Sequence, residues 1–163
     1  MNSKAIYPGT FDPITFGHLD VIARGIKIFG SLTVVVAENP SKKTLFTLKE
    51  RVEMVRESVK GLIGVEVKPF DSLLVEFAEK ENASIILRGL RETSDFPLEF
   101  QQAIVNRELS KKIETVFVMT SAEMFYITSS VVKEIASLKG NVSRFVPKHV
   151  QKMLETKFTS KTK

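Results

Sequence analysis

Residues 5–37 read AIYPGTFDPITFGHLDVIARGIKIFGSLTVVVA, and the periodicity changes twice within them. Ala5 to Tyr7 is a short apolar run closed by Pro8-Gly9, which predicts a strand followed by a turn. Leu19, Ile22, Ala23 and Ile26 then recur at helical spacing. Leu32 to Ala37 is rich in β-branched residues and lacks polar alternation, as expected of a strand covered on both faces.

The same order repeats along the chain. Leu48, Val52, Val55 and Val59 mark a second helix, with Thr47 as N-cap and Glu50 completing a capping box. Val65 to Val67 predicts a third strand, and Leu74, Phe77 and Ala78 a third helix. Ile85 to Leu87 predicts a fourth strand ended by Arg88-Gly89, and Phe100, Ala103 and Ile104 a fourth helix. Val116 to Met119 gives a fifth strand, followed by helices over about 129–138 and 148–157. Five alternations are the sequence form of an α/β fold: a Rossmann-like, doubly wound, five-stranded parallel sheet with helices on both faces. No repeat or long linker divides the chain, so 1–157 is expected as one domain, with 158–163 a flexible basic tail.

Composition narrows the chemistry. The 163 residues contain no cysteine, which excludes disulfides, thiolate catalysis and Cys-based metal sites. Two histidines, His18 and His149, leave no multi-histidine metal centre. No apolar run approaches the roughly 20 residues of a membrane span, and the N-terminus lacks an apolar signal region, so a cytoplasmic location is expected. The net charge of +5 suggests an anionic partner, but 157–163 holds three lysines and no acid, and without them the charge is +2. Nucleic acid and membrane are therefore not expected as partners.

In doubly wound sheets ligands bind beyond the carboxyl ends of the strands, where strand order reverses. The segments there are Gly9 to His18, Asn39 to Lys43, Asp71 to Leu74, Arg88 to Arg91, and Thr120-Ser121 leading to Ile127 to Ser130. Four of the five carry hydroxyls or cations suited to phosphate. No G-x-x-x-x-G-K-[ST] loop and no G-x-G-x-x-G turn is present, against a P-loop ATPase or a dinucleotide oxidoreductase. Instead Gly17-His18 opens the first helix, where backbone N–H groups and the helix dipole favour an anion. The same dipole disfavours an imidazolium, so His18 serves better as a neutral donor. His149 lies outside every such segment and is read as structural.

Thr15-Phe16-Gly17-His18 resembles the T/H-x-G-H motif of the nucleotidylyltransferase superfamily. The longer string from Tyr7 to His18 is similar to the bacterial phosphopantetheine adenylyltransferase family. So are Pro40-Ser41-Lys42-Lys43, Arg88-Gly89-Leu90-Arg91, Asp95-Phe96 with Glu99, and Ile127-x-Ser129-Ser130-x-Val132-Lys133-Glu134. The resemblance spans roughly residues 4 to 155. It implies transfer of the adenylyl group of ATP to 4′-phosphopantetheine, giving dephospho-coenzyme A and pyrophosphate, the penultimate step of coenzyme A synthesis. It implies Mg²⁺ accompanying ATP, a homo-hexamer, and coenzyme A as feedback ligand. The nucleophile is then a phosphate oxygen already ionised at pH 7, so positioning and electrostatics carry catalysis without a covalent enzyme intermediate.

By the resemblance, Thr10 and His18 touch the α-phosphate, with Phe11 beside them. Lys42 neutralises the reacting phosphates, and Arg88 holds the phosphopantetheine phosphate. Gly89, Leu90, Arg91 and Glu99 line the nucleotide side. Met124, Phe125, Tyr126, Ile127, Thr128, Ser129 and Ser130 close over ATP, the two serines donating to the β- and γ-phosphates. Leu74, with Leu73, contacts the pantetheine arm. The family usually reads aromatic-Ser-Phe-Ile-Ser-Ser-Ser in the closing segment, so Met124 and Phe125 depart from it, while Tyr126 keeps an aromatic face and Thr128 a hydroxyl.

The residues alone also fit blander roles. Lys42 and Lys43 could form a solvated pair, Arg91 could pair with Asp95 or Glu99, Leu73 and Leu74 could be core, and the serines could cap a helix. The competing functions are another small-molecule nucleotidylyltransferase, such as one acting on nicotinate mononucleotide, and a non-enzymatic nucleotide or nucleic-acid binder. A class I aminoacyl-tRNA synthetase shares the Gly-His feature, but the chain has no room for an anticodon-binding domain.

Overall fold

The computed structural model describes residues 4–38 and 43–159. Its strands are β1 (Lys4–Gly9), β2 (Leu32–Ala37), β3 (Val65–Phe70), β4 (Ala83–Leu90) and β5 (Glu114–Met119). Its helices are α1 (Phe16–Phe29), α2 (Leu48–Val59), α3 (Leu74–Lys80), α4 (Phe96–Leu109), α5 (Ser129–Ser137) and α6 (Lys148–Thr159). The strands form one all-parallel sheet in the order β3-β2-β1-β4-β5. The expected Rossmann-like architecture is present, and its order reverses between β1 and β4.

Side-chain alternation along the strands divides the core into two layers. Ala5, Tyr7, Val34 and Val36 face one way, packing with Val21 and Ile22 of α1, Val52 and Val55 of α2, and α5 and α6. Ile6, Val35 and Ile86 face the other way, against Val75 and Ala78 of α3. Phe96 at the start of α4 meets Phe117 of β5 edge-on.

The helix starts follow from local chemistry. Thr47 and Glu50 form the expected capping box on α2. Thr15 caps α1, and there the reciprocal N3 side chain is the His18 imidazole. Gly30 closes α1 at φ 76°, donating its N–H to the Ile26 carbonyl.

Three strand ends lie further on than the sequence suggested: β3 runs past Val67 to Phe70, pairing with β2 throughout. β1 continues through Pro8 and Gly9, which pair with Val35 and Val36. β4 continues through Arg88 to Leu90, because β5 continues beside it and pairs Arg88 with Phe117 and Leu90 with Met119. On its other side β1 leaves β4 after Ile6, paired with Ile86. Pro8 has no N–H to extend that ladder, and its carbonyl instead accepts from Arg88 Nη1 at 3.3 Å. The sheet opens at this point.

Of the tail expected over 158–163, Phe158 and Thr159 belong to the last helix, and 160–163 lie outside the described residues. Helix α6 runs to Thr159, and Phe158 packs against the core. Lys157 pairs with Glu50 at 2.8 Å and lies over the Phe46 ring. His149 sits within 3.1 Å of the Ser58 hydroxyl and the Met54 carbonyl, fastening α6 to α2.

Candidate active site

A cavity of about 670 Å³ lies where β1 and β4 part. Two helix N-termini border it: Thr15, Gly17 and His18 of α1, and Thr128, Ser129 and Ser130 of α5. Arg88 and Arg91 border it from β4 and the turn beyond, Lys43 from the β2–α2 loop, Phe70 from the end of β3 and Leu74 from the start of α3. Two positive dipole ends and several cations in one crevice suit a polyanion.

His18 is half-buried and held in one tautomer. The Thr15 backbone N–H donates to its Nδ1 at 3.0 Å, leaving Nε2 as the protonated nitrogen. The Phe11 ring meets the imidazole edge-on, with centroids 5.1 Å apart. Burial, with a smaller contribution from the Arg91 charge, pushes the imidazole down to about 4. His18 is therefore a neutral N–H donor at physiological pH.

Arg88 extends from the strand itself into the opening. Glu99 of α4 grips it bidentately, Nε to Oε2 at 2.6 Å and Nη2 to Oε1 at 2.5 Å. Burial opposes its charge, but the Glu99 hydrogen bonds and carboxylate outweigh that and raise the guanidinium above its ordinary value. Tyr7, buried beneath the site, is pushed well above its ordinary value by desolvation, so it stays a neutral phenol. Arg91 pairs with Asp95, Nη2 to Oδ1 at 3.0 Å and Nε to Oδ2 at 3.1 Å. Burial raises the Asp95 carboxyl, and the Arg91 contacts outweigh it, leaving Asp95 below the usual carboxylate range.

The expected site residues divide into groups. Thr10, Phe11, His18, Leu74, Arg88, Gly89, Arg91, Ile127, Thr128, Ser129 and Ser130 all border the cavity. Leu90 is buried, 8% exposed, and points into the protein. The Glu99 carboxylate is engaged by Arg88 rather than presented to a ligand. Phe125 and Tyr126 are exposed and meet edge-on, Tyr126 also meeting Phe145, while Met124 packs against the core. The closing segment thus meets the cavity only from Ile127 onward. The Ser129 hydroxyl donates to the Pro13 carbonyl at 2.8 Å, which leaves its backbone N–H as the group for an anion. Thr128 supplies the N-cap of α5, accepting from the Val131 N–H at 3.1 Å. Lys42 lies outside the described residues.

Three residues outside the expected set frame the site. Arg51 is fully buried and donates to the carbonyls of Thr10, Ala37 and Phe46, and to Glu38. It ties together the loops that leave β1 and β2. Asp12 accepts from the Leu45 and Phe46 N–H groups, both at 2.9 Å, and from Lys133 at 2.7 Å. Lys133, on α5, borders the cavity itself. A capping-box reading extended to histidine at N3 would have found the His18 tautomer; Lys133 stands in the motif that begins at Ile127, though without an assigned role there, and nothing local marks Arg51.

An open parallel sheet with a cationic crevice at its switch point, floored by a T-x-G-H helix start, defines a nucleotidyltransferase-type protein. The chain belongs to the cytidylyltransferase-like family, whose model matches residues 6–135, and within it to the phosphopantetheine adenylyltransferases. It is 52% identical over 154 residues to the phosphopantetheine adenylyltransferase of Caldanaerobacter subterraneus subsp. tengcongensis, covering 94% of this chain and 96% of that one. It is 50% identical to the protein of that name from Desulfosudis oleivorans, covering 94% and 91%, and 50% identical to that of Legionella pneumophila strain Lens, covering 95% and 91%. A solved Vibrio parahaemolyticus protein, assigned as a nicotinate-nucleotide adenylyltransferase, shares the fold with a TM-score of 0.70 at 18% identity, covering 96% of this chain and 93% of that one.

Proposed function

We propose that the chain transfers the adenylyl group of ATP to 4′-phosphopantetheine. The near-full-length identity of about half its residues to phosphopantetheine adenylyltransferases carries this reading, and the cavity's chemistry supports it. A phosphopantetheine phosphate oxygen attacks the α-phosphorus, a new P–O bond forms, and the bond to the bridging oxygen breaks. Dephospho-coenzyme A and pyrophosphate leave, and no proton has to be abstracted from an ionised phosphate.

His18 Nε2–H and Thr10 donate to the α-phosphate as it becomes crowded and more negative. Arg88, aimed by Glu99, receives the attacking phosphate. Lys42 assists by charge, as the family resemblance implies. The α5 N-terminus and Arg91 take the leaving phosphates, and Leu74 with Phe70 takes the pantetheine arm.

Among the described residues no group of three or more His, Asp or Glu side chains could hold a metal ion. Asp12, Asp95 and Glu99 are each engaged by a cation. Mg²⁺ accordingly enters as part of the ATP complex, a substrate ion. Coenzyme A carries both the pantetheine arm and the adenylate, so it competes for the same cavity as a feedback ligand.

We also propose a homo-hexamer. None of the residues of α4 is buried, although Leu98, Phe100, Ile104 and Val105 are large and apolar; a second copy covers this face. No described helix is long and apolar enough to cross a membrane, and the small soluble substrates suit a cytoplasmic enzyme.

The test is pyrophosphate release from ATP and Mg²⁺ with phosphopantetheine, nicotinate mononucleotide or glycerol phosphate supplied in turn. Turnover with phosphopantetheine alone is expected. Its absence, or turnover with nicotinate mononucleotide instead, overturns the assignment. Light scattering is expected to give about six times the 18.3 kDa chain mass.

A further inference from the structure

Arg51 is out of character with its helix. The other buried residues of α2, Val52, Met54, Val55 and Val59, are apolar, whereas Arg51 is 1% exposed and carries a full charge. Its acidic partner, Glu38, has a side chain 47% exposed, so half of that ion pair lies in water. A buried guanidinium partnered in this way contributes little to stability, and an apolar side chain of like volume often serves as well or better. What an apolar chain could not supply is direction. Nη1 donates to the Thr10 carbonyl at 2.8 Å and to the Ala37 carbonyl at 2.7 Å, and Nε to the Phe46 carbonyl at 3.2 Å.

The bond to Thr10 fixes a peptide. In a planar trans peptide the C=O and the following N–H point in opposite directions. Arg51 lies behind the loop and outside the cavity lining. Drawing the Thr10 carbonyl toward it turns the Phe11 N–H the other way, toward the cavity that both residues border. That N–H has no hydrogen-bond partner among the described residues. Phe11 takes φ 50° there, a left-handed conformation that bulky L-residues seldom adopt. Its ring is buried and held edge-on by Tyr7 and His18, with centroids 5.5 and 5.1 Å away. Rotating the Thr10–Phe11 peptide by half a turn would bring φ to about −130°, inside the broad β region. The guanidinium opposes that turn, because it would then meet an N–H in place of a carbonyl.

We propose that Arg51 is a positioning residue for adenylyl transfer: it locks the Thr10–Phe11 peptide so that the Phe11 N–H, with the Thr10 hydroxyl beside it, faces the α-phosphate before ATP arrives. The proposal rests on the reading that this cavity takes ATP. It accounts for a charge buried where no ligand touches it, and for the left-handed backbone at Phe11.

The test compares the wild-type chain with Arg51→Lys, which keeps the charge and loses the fork, and Arg51→Met, which loses both. Circular dichroism establishes that each variant is folded, and pyrophosphate release gives kcat and both KM values. A misplaced donor should lower kcat by roughly 10- to 100-fold in both variants. Each KM should stay within about threefold of wild type, the pattern of an interaction realised in the transition state. Combined with Thr10→Ala, Arg51→Lys should lower kcat by much less than the product of the two single effects, since it acts through that residue. A second readout needs no turnover. Labelling threonine carbonyls with ¹³C and phenylalanine nitrogens with ¹⁵N leaves two Thr–Phe signals, from Phe11 and Phe16, and Phe16→Leu removes the second. On adding ATP with Mg²⁺ the wild-type Phe11 amide proton should shift downfield, and in Arg51→Lys it should move little. Wild-type kcat in either folded variant, effects that multiply with Thr10→Ala, or a Phe11 shift that is absent from the wild type or undiminished in Arg51→Lys overturns the proposal. A wild-type chain that shows the shift without adenylating phosphopantetheine refutes the functional reading, and the amide signal still decides the role of Arg51.

Discussion

The neutrality of His18 can be tested directly by acidification. The structure places the imidazole at about 4, against an ordinary value of 6.5. At pH 6 only about 1% of the folded protein would carry the imidazolium, where an ordinary histidine would be about three-quarters charged. The folded state binds the proton less well than the unfolded chain, so unfolding takes up a proton between these two values. This contribution to stability is therefore constant above pH 6.5, declines as pH falls from 6.5 toward 4, and is lost below 4. Its full size is at most roughly 3 kcal/mol, from the difference of the two values at 1.36 kcal/mol per pH unit.

The assay is a ¹H–¹⁵N NMR titration of the imidazole from pH 8 to 3.5, with the His18 signals assigned by their loss in His18→Asn. A midpoint near 4 and an Nε2–H tautomer are expected, the tautomer because the Thr15 N–H occupies Nδ1. A midpoint near 6.5, or a proton on Nδ1, would refute the reasoning. The phosphate nucleophile itself has a second pKa near 6, so the pH–rate profile reports the substrate there and the titration of the free protein is the cleaner measurement. In turnover, His18→Ala should lower kcat by roughly 10²–10³-fold, the scale of one lost transition-state donor.

Other perturbations probe the frame around the site. Glu99→Gln removes the charge that holds Arg88 and should cost about 1–3 kcal/mol in chemical denaturation, with a raised KM for phosphopantetheine. Gly89→Ala would place a Cβ 2.7 Å from Val21 Cγ2; overpacking of about 1–3 kcal/mol is expected, with much of it recovered in Gly89→Ala/Val21→Ala. Phe100→Glu or Ile104→Glu on the α4 face should reduce the mass seen by light scattering while leaving the circular dichroism of the chain unchanged.

The fold was legible because its signals are local. Unbroken β-branched runs, helical spacing and the Thr47–Glu50 capping box act within a few residues, and each appears where the pattern placed it. Differences arise where a neighbour decides. Pro8-Gly9 and Arg88-Gly89 look like strand ends, but β2 and β5 continue beside them and carry the ladders further. Phe158 reads as tail until α6 gives it a core to pack on. The T-x-G-H and R-G-L-R strings located the cavity, whereas its frame was hidden. Arg51 has the spacing of an ordinary helix residue, yet its carbonyl partners come from three separate positions, Thr10, Ala37 and Phe46. Lys133 meets Asp12 from 121 residues away. No local pattern encodes such contacts, because they exist only once the loops have converged.

The ion pairs around the cavity, of which only Arg91 with Asp95 was suggested by the sequence, share a logic that bears on the proposed catalysis. Arg88, Arg91 and Lys133 are each oriented by a carboxylate: Glu99, Asp95 and Asp12. Unpaired, three cations in one crevice would repel each other and collapse toward water or bend away when the cavity is empty. Paired, they stay in place, and in the proposed reaction little reorganisation is needed as negative charge gathers on the α-phosphate oxygens. The same carboxylates moderate the field of the crevice, so on the proposed reading tight binding of the ground-state phosphates is traded for geometry that counts at the transition state. His18 belongs to the same design by a different route. A neutral N–H donor strengthens its hydrogen bond as the phosphate becomes more negative, yet adds no charge that would trap pyrophosphate after the bond has broken.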